Sequence, residues 1–279
     1  MLTVIRALRP KQWVKNLLVL GAPIASGNFF DYMPSLSLAL LAFIVASSMG
    51  YLINDWQDRG SDKLHTEKQM RPFASGALDF RYFLSLEVIC SFVLFLILLN
   101  LPTSFRLTVL IYLLISLSYT FFVKSVPVLE MMWLSSGFLI RALAGTTIIN
   151  ESPTGWFVSS VFFGAVFMVA TKRLAEFRGV DAMITRKVIS SYSESFLKSI
   201  TTMSLTVTIM TYCLWVFQVH PDSYFAQISI LPFTFTIVMY LFSCDQGDAE
   251  VPEKLLFSNK SLLTGISLTI CLLLVVFYS

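Results

Sequence analysis

Charge is scarce in this sequence. Only 13% of its 279 residues are Asp, Glu, Lys or Arg, about half the ~25% typical of a soluble domain. That shortage excludes an ordinary globular domain and a disordered chain, both of which need a polar surface. Histidine is scarcer still, and His65 and His220 stand too far apart for a His-built metal centre. The four cysteines, Cys90, Cys213, Cys244 and Cys271, include no C-x-x-C pair and lie in or beside apolar stretches. They exclude a disulfide scaffold or a zinc ribbon and read as small core residues. No two-residue alternation of an outer-membrane barrel is present, nor any repeat or low-complexity tract. The start, Met1 to Pro10, lacks the basic, apolar, small-residue succession of a cleavable signal.

What is abundant is apolar. Hydrophobic residues make up 56% of the chain and mean hydropathy is +0.74. A helix needs about 20 predominantly apolar residues to cross the hydrocarbon core. Nine stretches qualify: 15–30, 34–53, 82–101, 107–123, 127–149, 155–171, 199–219, 226–243 and 262–278. The first is the weakest, short and interrupted by Gly21, Pro23 and Gly27. The expected architecture is an all-α polytopic membrane protein, one domain over 1–279, with nine transmembrane helices.

The basic residues test that count independently. With nine crossings, eighteen of the twenty Lys and Arg fall on one side; Arg106 stands on the other and Arg141 inside a span. By the positive-inside rule the amino terminus and the long loops are cytoplasmic and the carboxyl terminus lies outside, in a cell membrane. The outer connections are short. The inner ones over 54–81 and 172–198 are long and polar, and long ordered loops are where chemistry tends to sit. These two loops are expected to cap the active site.

The first of them opens Asn54-Asp55-Trp56-Gln57-Asp58-Arg59-Gly60-Ser61-Asp62. Asn54, Asp58 and Asp62 are four apart, and on a helix each step of four turns by only about 40°, so they share a face. Stacked oxygen-bearing side chains repel one another unless a cation sits among them. Hard oxygen donors suit Mg2+, which binds through one or two carboxylates plus substrate phosphates. Gly60 leaves room for a helix break near the site. The same spacing also suits a solvated helix end with ordinary loop acids.

The residues that follow narrow the choice. N-D-x-x-D-x-x-x-D runs into Arg71-Pro72-Phe73-Ala74-Ser75-Gly76, and the two together resemble the first signature of the UbiA superfamily of intramembrane prenyltransferases. That resemblance implies a helical bundle around a central cavity open to lipid, an active site on the cytoplasmic face, and Mg2+ as cofactor. Members that prenylate aromatic acceptors usually carry a second acidic motif, D-x-x-x-D, after the sixth span. Here that position reads Thr171-Lys172-Arg173-Leu174-Ala175-Glu176-Phe177-Arg178-Gly179-Val180-Asp181. The basic loop points to additional phosphates, which Arg and Lys bind directly.

The opening Arg9-Pro10-Lys11-Gln12-Trp13-Val14-Lys15-Asn16 and the Lys172-Arg173-Leu174-Ala175-Glu176 stretch are similar to the branch that transfers phosphoribose from phosphoribosyl pyrophosphate (PRPP) to a polyprenyl phosphate. That similarity assigns roles. Asn54, Asp58 and Asp62 hold Mg2+ and through it pyrophosphate, with Asp58 and Asp62 also counted as catalytic and Asp55 as a helper. Lys172 and Arg173, also counted as catalytic, and Arg71 contact the pyrophosphate or the ribose 5-phosphate. Glu176 binds a ribose hydroxyl or orients Lys172. Lys11 and Lys15, with Asn16 beside them, take the lipid phosphate, and Tyr119 and Lys124 close the site. Arg141, deep in its span, needs a polar cavity or a partner, with Glu87 a candidate for the latter and substrate contact the other option. PRPP, polyprenyl phosphate and membrane lipid are the expected partners, with no nucleic acid and homo-oligomerisation left open. Two other readings fit the same composition: prenyl transfer from a prenyl diphosphate to an aromatic or other small acceptor, and a transporter that merely carries an acidic loop.

Overall fold

The long apolar runs become helices, and polar side chains mark where several begin. A computed structural model describes residues 2–64, 68–179, 188–246, 255 and 258–278. After α1 (Leu2–Ala7) come a 3-10 segment over Pro10–Leu20 and α2 (Gly21–Ala25). The long helices are α3 (Met33–Asp62), α4 (Phe80–Leu98), α5 (Thr103–Phe121), α6 (Leu129–Ile149), α7 (Gly155–Arg178) and α8 (Glu194–Val219). The short α9 (Tyr224–Ile228) leads into α10 (Ile230–Asp245), and α11 (Lys260–Tyr278) completes the bundle. Asp79, Thr154, Ser193 and Ser223 each accept backbone N–H groups at a helix start, meeting donors that the first turn leaves unpaired.

Among the described residues eight helices, α9 and α10 being joined as one, are long and apolar enough to cross a membrane. The first of the nine expected crossings takes another form. Arg9 pairs with Asp55 at one end of the bundle. Asn28 donates to Glu151 (2.6 Å) at the other end, where the Phe29 N–H also donates to Tyr278 Oη (3.3 Å). The chain between Arg9 and Asn28 therefore traverses the molecule. Pro10, Gly21 and Pro23 disfavour a continuous α-helix there. The 3-10 geometry compensates by rising about 2.0 Å per residue, so Pro10 to Ala25 has a contour of about 30 Å. Two other expectations are corrected. α3 continues through Gly60 to Asp62 without a break, and α7 runs to Arg178. The acidic motif of the first inner loop and the Lys172–Arg178 stretch of the second thus stand on helix extensions, where backbone hydrogen bonds fix them more firmly than loop backbone would. The remainder of those loops at 65–67 and 180–187, including Asp181, lies outside the described residues.

Small residues bring the elements together. Ala39, Ala42 and Ala46 of α3 and Ala144 of α6 are buried with Val19, Phe43, Phe105 and Tyr112. A Cβ on Gly145 would lie 2.0 Å from the Val19 carbonyl oxygen, so the 3-10 backbone rests directly on α6, a close approach typical of membrane helices. Gly145→Ala is expected to lower stability by about 1–3 kcal/mol, as overpacking against backbone does. An unchanged thermal midpoint in detergent would contradict this contact. Leu84, Val88, Phe92 and Phe95 on α4 are exposed, the surface a lipid-facing helix presents. The protein is an integral membrane protein.

Candidate active site

At the end of the bundle where α3 emerges, its acids meet bases from three separate parts of the chain. Asp55 is buried and pairs with Arg9 and with Arg71 (3.1 Å). Arg71 also donates to Asp62 at 2.7 Å, so one guanidinium bridges two carboxylates seven residues apart, about 20° from each other on the helix wheel. Arg71 is placed by its own turn. The Ser75 N–H donates to the Arg71 carbonyl (2.8 Å), and Phe73 packs edge-on against Trp56 at 5.8 Å. Trp56 in turn stacks on Phe83 of α4. The Arg-Pro motif is thereby folded back over the acidic helix.

Asp58 faces another way. It accepts from Lys124 Nζ at 2.5 Å, and Lys124 sits in a 3-10 turn, Val123–Ser125, immediately after α5. Asn54 is half-buried, and its side chain makes no hydrogen bond among the described residues. The expected face of Asn54, Asp58 and Asp62 is present on α3. Its carboxylates are shared out between two basic groups, and Asp55 belongs to the cluster as fully as Asp62.

Among the described residues no group of three or more His, Cys, Asp or Glu is disposed to hold a metal. Mg2+ does not require three carboxylates, because it keeps waters and takes substrate phosphate oxygens. Two carboxylates already drawing cations, beside a half-buried amide oxygen, are a hard-donor set that fits such an ion.

Arg173 lies elsewhere than expected. It is 1% exposed and is engaged by carboxylates: Nε and Nη2 donate to the two oxygens of Glu130 at 2.7 Å each, and Nη1 to Glu176 at 2.5 Å. Its predicted contact with phosphate is not what this geometry favours, since acids enclose the guanidinium and exclude an anion. Glu176, expected to bind a ribose hydroxyl or orient Lys172, accepts from Arg173. Lys172 beside it is half-buried, and Tyr119 stands within electrostatic reach of Arg173. Glu130 is fully buried at the start of α6 and receives a 3.4 Å hydrogen bond from Tyr192. Burial pushes the Tyr192 phenol above its ordinary pKa, so the hydroxyl stays protonated and able to donate.

Arg141, midway along α6, is solvated by neutral groups in place of Glu87. It donates to Asn16 Oδ1 (2.9 Å), the Gly137 carbonyl (2.8 Å) and Tyr112 Oη (2.6 Å). Asn16 is fully buried and passes the network to Ser47, so it clamps the 3-10 segment into the bundle. Lys15 Nζ lies 5.7 Å from the centre of the Phe138 ring, and the Arg141 guanidinium carbon 5.8 Å from the same ring. Lys11 is exposed at the surface.

The sequence left Arg9, Glu130 and Tyr192 without roles at the site. The signal for Glu130 was available, because an acid just inside the start of an apolar span needs a partner wherever it is shut off from water.

Among the described residues eight membrane-length helices are entered by a broken segment, with the N-D-x-x-D-x-x-x-D helix ending at the site, and the sequence matches the model of the UbiA prenyltransferase family over residues 17–262. The chain belongs to this family. Among its UbiA relatives, the decaprenyl-phosphate phosphoribosyltransferase of Mycobacterium tuberculosis (strain ATCC 25618 / H37Rv) is 35% identical over 93% of this chain and 89% of that protein. The decaprenyl-phosphate phosphoribosyltransferase of Corynebacterium glutamicum is 34% identical over 98% of this chain and 86% of its own. A solved UbiA homologue from Archaeoglobus fulgidus, bound to GPP and Mg2+, superposes with a TM-score of 0.75 at 18% identity, covering 99% of this chain and 98% of that one. At that identity the likeness speaks to the fold. The protein is an enzyme of the UbiA superfamily.

Proposed function

We propose that this enzyme transfers 5-phosphoribose from PRPP to a polyprenyl phosphate, with Mg2+ as cofactor and the site on the cytoplasmic face. The observation that carries this reading is end-to-end identity of about 35% with relatives named for that activity. The site supports it. A second acidic motif is replaced by Lys172, Arg173 and Glu176, and Glu176 is tied to Arg173.

The reaction breaks the bond between ribose C1 and the pyrophosphate oxygen and forms one between C1 and an oxygen of the lipid phosphate. Pyrophosphate leaves with the electron pair, and the product is polyprenyl-phosphoryl-5-phosphoribose. The attacking phosphate is already anionic near neutral pH, so no dedicated general base is required. PRPP brings three phosphates and the lipid a fourth, which the bases at this end of the bundle would neutralise. Bound Mg2+ would offset charge developing on the departing pyrophosphate. Asn54, Asp58 and Asp62 would hold it; Lys124, Arg71 and Lys172 would turn from carboxylates or helix surface to phosphate oxygens. Arg173 positions Glu176 and the end of α7 instead of touching substrate. Lys15 would meet the lipid phosphate and Lys11 guide it at the surface. Developing positive charge at C1 is met by positioning and electrostatics, the usual large contributions to such a transfer.

Incubating membranes carrying the protein with labelled PRPP and polyprenyl phosphate, with and without Mg2+, tests the reading. Mg2+-dependent label in the lipid fraction is expected. Turnover of a prenyl diphosphate with an aromatic acceptor, and none of PRPP, would replace this reading with prenyl transfer.

Lys124 gives a signed prediction. Its ammonium competes with a metal for Asp58 but should assist once diphosphate is bound. Lys124→Ala is expected to tighten Mn2+ binding without diphosphate by up to about fivefold, the scale of a partly exposed ion pair. The same variant should weaken binding of the metal–pyrophosphate complex. Paramagnetic titration of Mn2+ with and without pyrophosphate reads both, and weakening in both conditions would refute the competition.

A further inference from the structure

The backbone between α5 and α6 carries a conformation that a β-branched residue rarely adopts. Val128 has φ 66° and ψ −51°, and the Leu129 N–H closes onto the Pro127 carbonyl at 2.7 Å. Together these define the strained, positive-φ form of the γ-turn. Such strain persists only where the surroundings over-determine it, and it concentrates at functional sites.

What over-determines it is visible. Tyr192 Oη accepts the Val128 N–H at 2.8 Å and donates to Glu130, while its ring stacks on Phe196 at 5.7 Å and 5°. Glu130, two residues beyond Val128, is locked to Arg173 by two hydrogen bonds. On the other side a short ladder leads back to the site. The Glu130 N–H donates to the Val126 carbonyl (3.1 Å), and the Val126 N–H to the Val123 carbonyl (2.9 Å). Within that last turn stands Lys124, 2.5 Å from Asp58.

We infer that Tyr192 and Glu130 are positioning residues: they hold the strained Val128 turn so that Lys124 stays over the acidic helix. Arg173 fastens the α7 extension with Lys172 and Glu176 to the same anchor. Tyr192 closes the second inner loop, so that loop sets the position of a base more than sixty residues earlier in the chain. The inference rests on the proposed role of Lys124 at the diphosphate.

The test is a double-mutant cycle on purified full-length protein, reading the affinity for inorganic pyrophosphate with Mg2+ by calorimetry. Tyr192→Phe keeps the ring stacking and removes only the hydroxyl. It should weaken pyrophosphate binding about tenfold, the scale of a lost hydrogen bond in a polar network. Lys124→Ala should weaken it at least as much. The double variant should bind within twofold of Lys124→Ala alone, because the hydroxyl acts through that lysine. A residue important only for general stability would give multiplicative losses. If Tyr192→Phe folds poorly, the calorimetric affinity of its folded fraction, which the binding stoichiometry reports separately, runs the same cycle. Multiplicative losses, or either single variant binding like the parent, would overturn the inference. Pyrophosphate is common to PRPP and prenyl diphosphates, so a failed cycle is told apart from a wrong donor.

Discussion

Asp58→Ala is expected to reduce transfer about a thousandfold or more while leaving the protein folded. Asp58 is the carboxylate of the α3 face that meets neither Arg9 nor Arg71; it faces Lys124 across a partly exposed pair. That exposure decides the stability side, since a partly solvated pair contributes about 0–1 kcal/mol and its loss barely moves the thermal midpoint. The activity side is different. Charge stabilisation of a departing pyrophosphate by a metal supplies several kcal/mol, and each ~1.4 kcal/mol lost is tenfold in rate. Loss of one of the two carboxylates proposed to hold the metal should therefore cost about 4 kcal/mol of transition-state stabilisation. Asp58→Asn, which keeps an oxygen donor without the charge, should fall between. The measurement is initial rate of label transfer into lipid, with Mn2+ titration as a readout independent of turnover. Full activity in Asp58→Ala would defeat the metal assignment whichever donor the enzyme uses.

The largest effect on stability is expected at Glu130 and Arg173. Both are essentially inaccessible; removing Arg173 leaves Glu130 as a buried, uncompensated charge, and removing Glu130 leaves Arg173 only half-compensated, the kind of loss that costs about 3–5 kcal/mol. Glu130→Ala strips Arg173 of its two-pronged acceptor and leaves only Glu176. The midpoint should fall by many degrees, and expression with it. A paired replacement discriminates the cause. Glu130→Leu with Arg173→Met removes both charges and fills similar volume, so stability should return most of the way towards the parent. Transfer activity should not return, because the Val128 turn loses its anchor. Equal stability of the single and paired variants would show that the charges are not mutually compensating. Thermal unfolding in detergent, followed by tryptophan fluorescence, measures both.

Much of the fold was legible because the decisive signals are local along the chain. A run of apolar residues is long enough to cross a membrane or it is not, and basic residues flanking it mark one side irrespective of packing. The first crossing was harder to read. Its length is met by 3-10 geometry, and the pressure for that geometry includes close contact with Gly145, more than a hundred residues away. At the site, the four-residue spacing identified the acidic face of α3. It did not assign partners. Asp55 lies about 100° from Asn54 on the wheel and looked peripheral, yet the fold brings Arg9 and Arg71 onto it. Arg173 looked like a phosphate ligand because it follows Lys172 at the membrane edge. One step along a helix turns a side chain about 100°, and that step carries Arg173 from the open end into contact with Glu130.

The sequence alone determined that this chain is an α-helical membrane protein of the UbiA kind, and that its acidic helix end and long basic loops occupy one end of the bundle. Those properties follow from composition, hydropathy and spacing, which need no knowledge of neighbours. Only the tertiary structure decided which charge answers which: Arg71 bridging Asp55 and Asp62, Lys124 on Asp58, Arg173 enclosed by Glu130 and Glu176, and Arg141 solvated by Asn16 and Tyr112. An ion pair or hydrogen bond requires contact within a few ångströms, and helix packing, not distance along the chain, sets those separations.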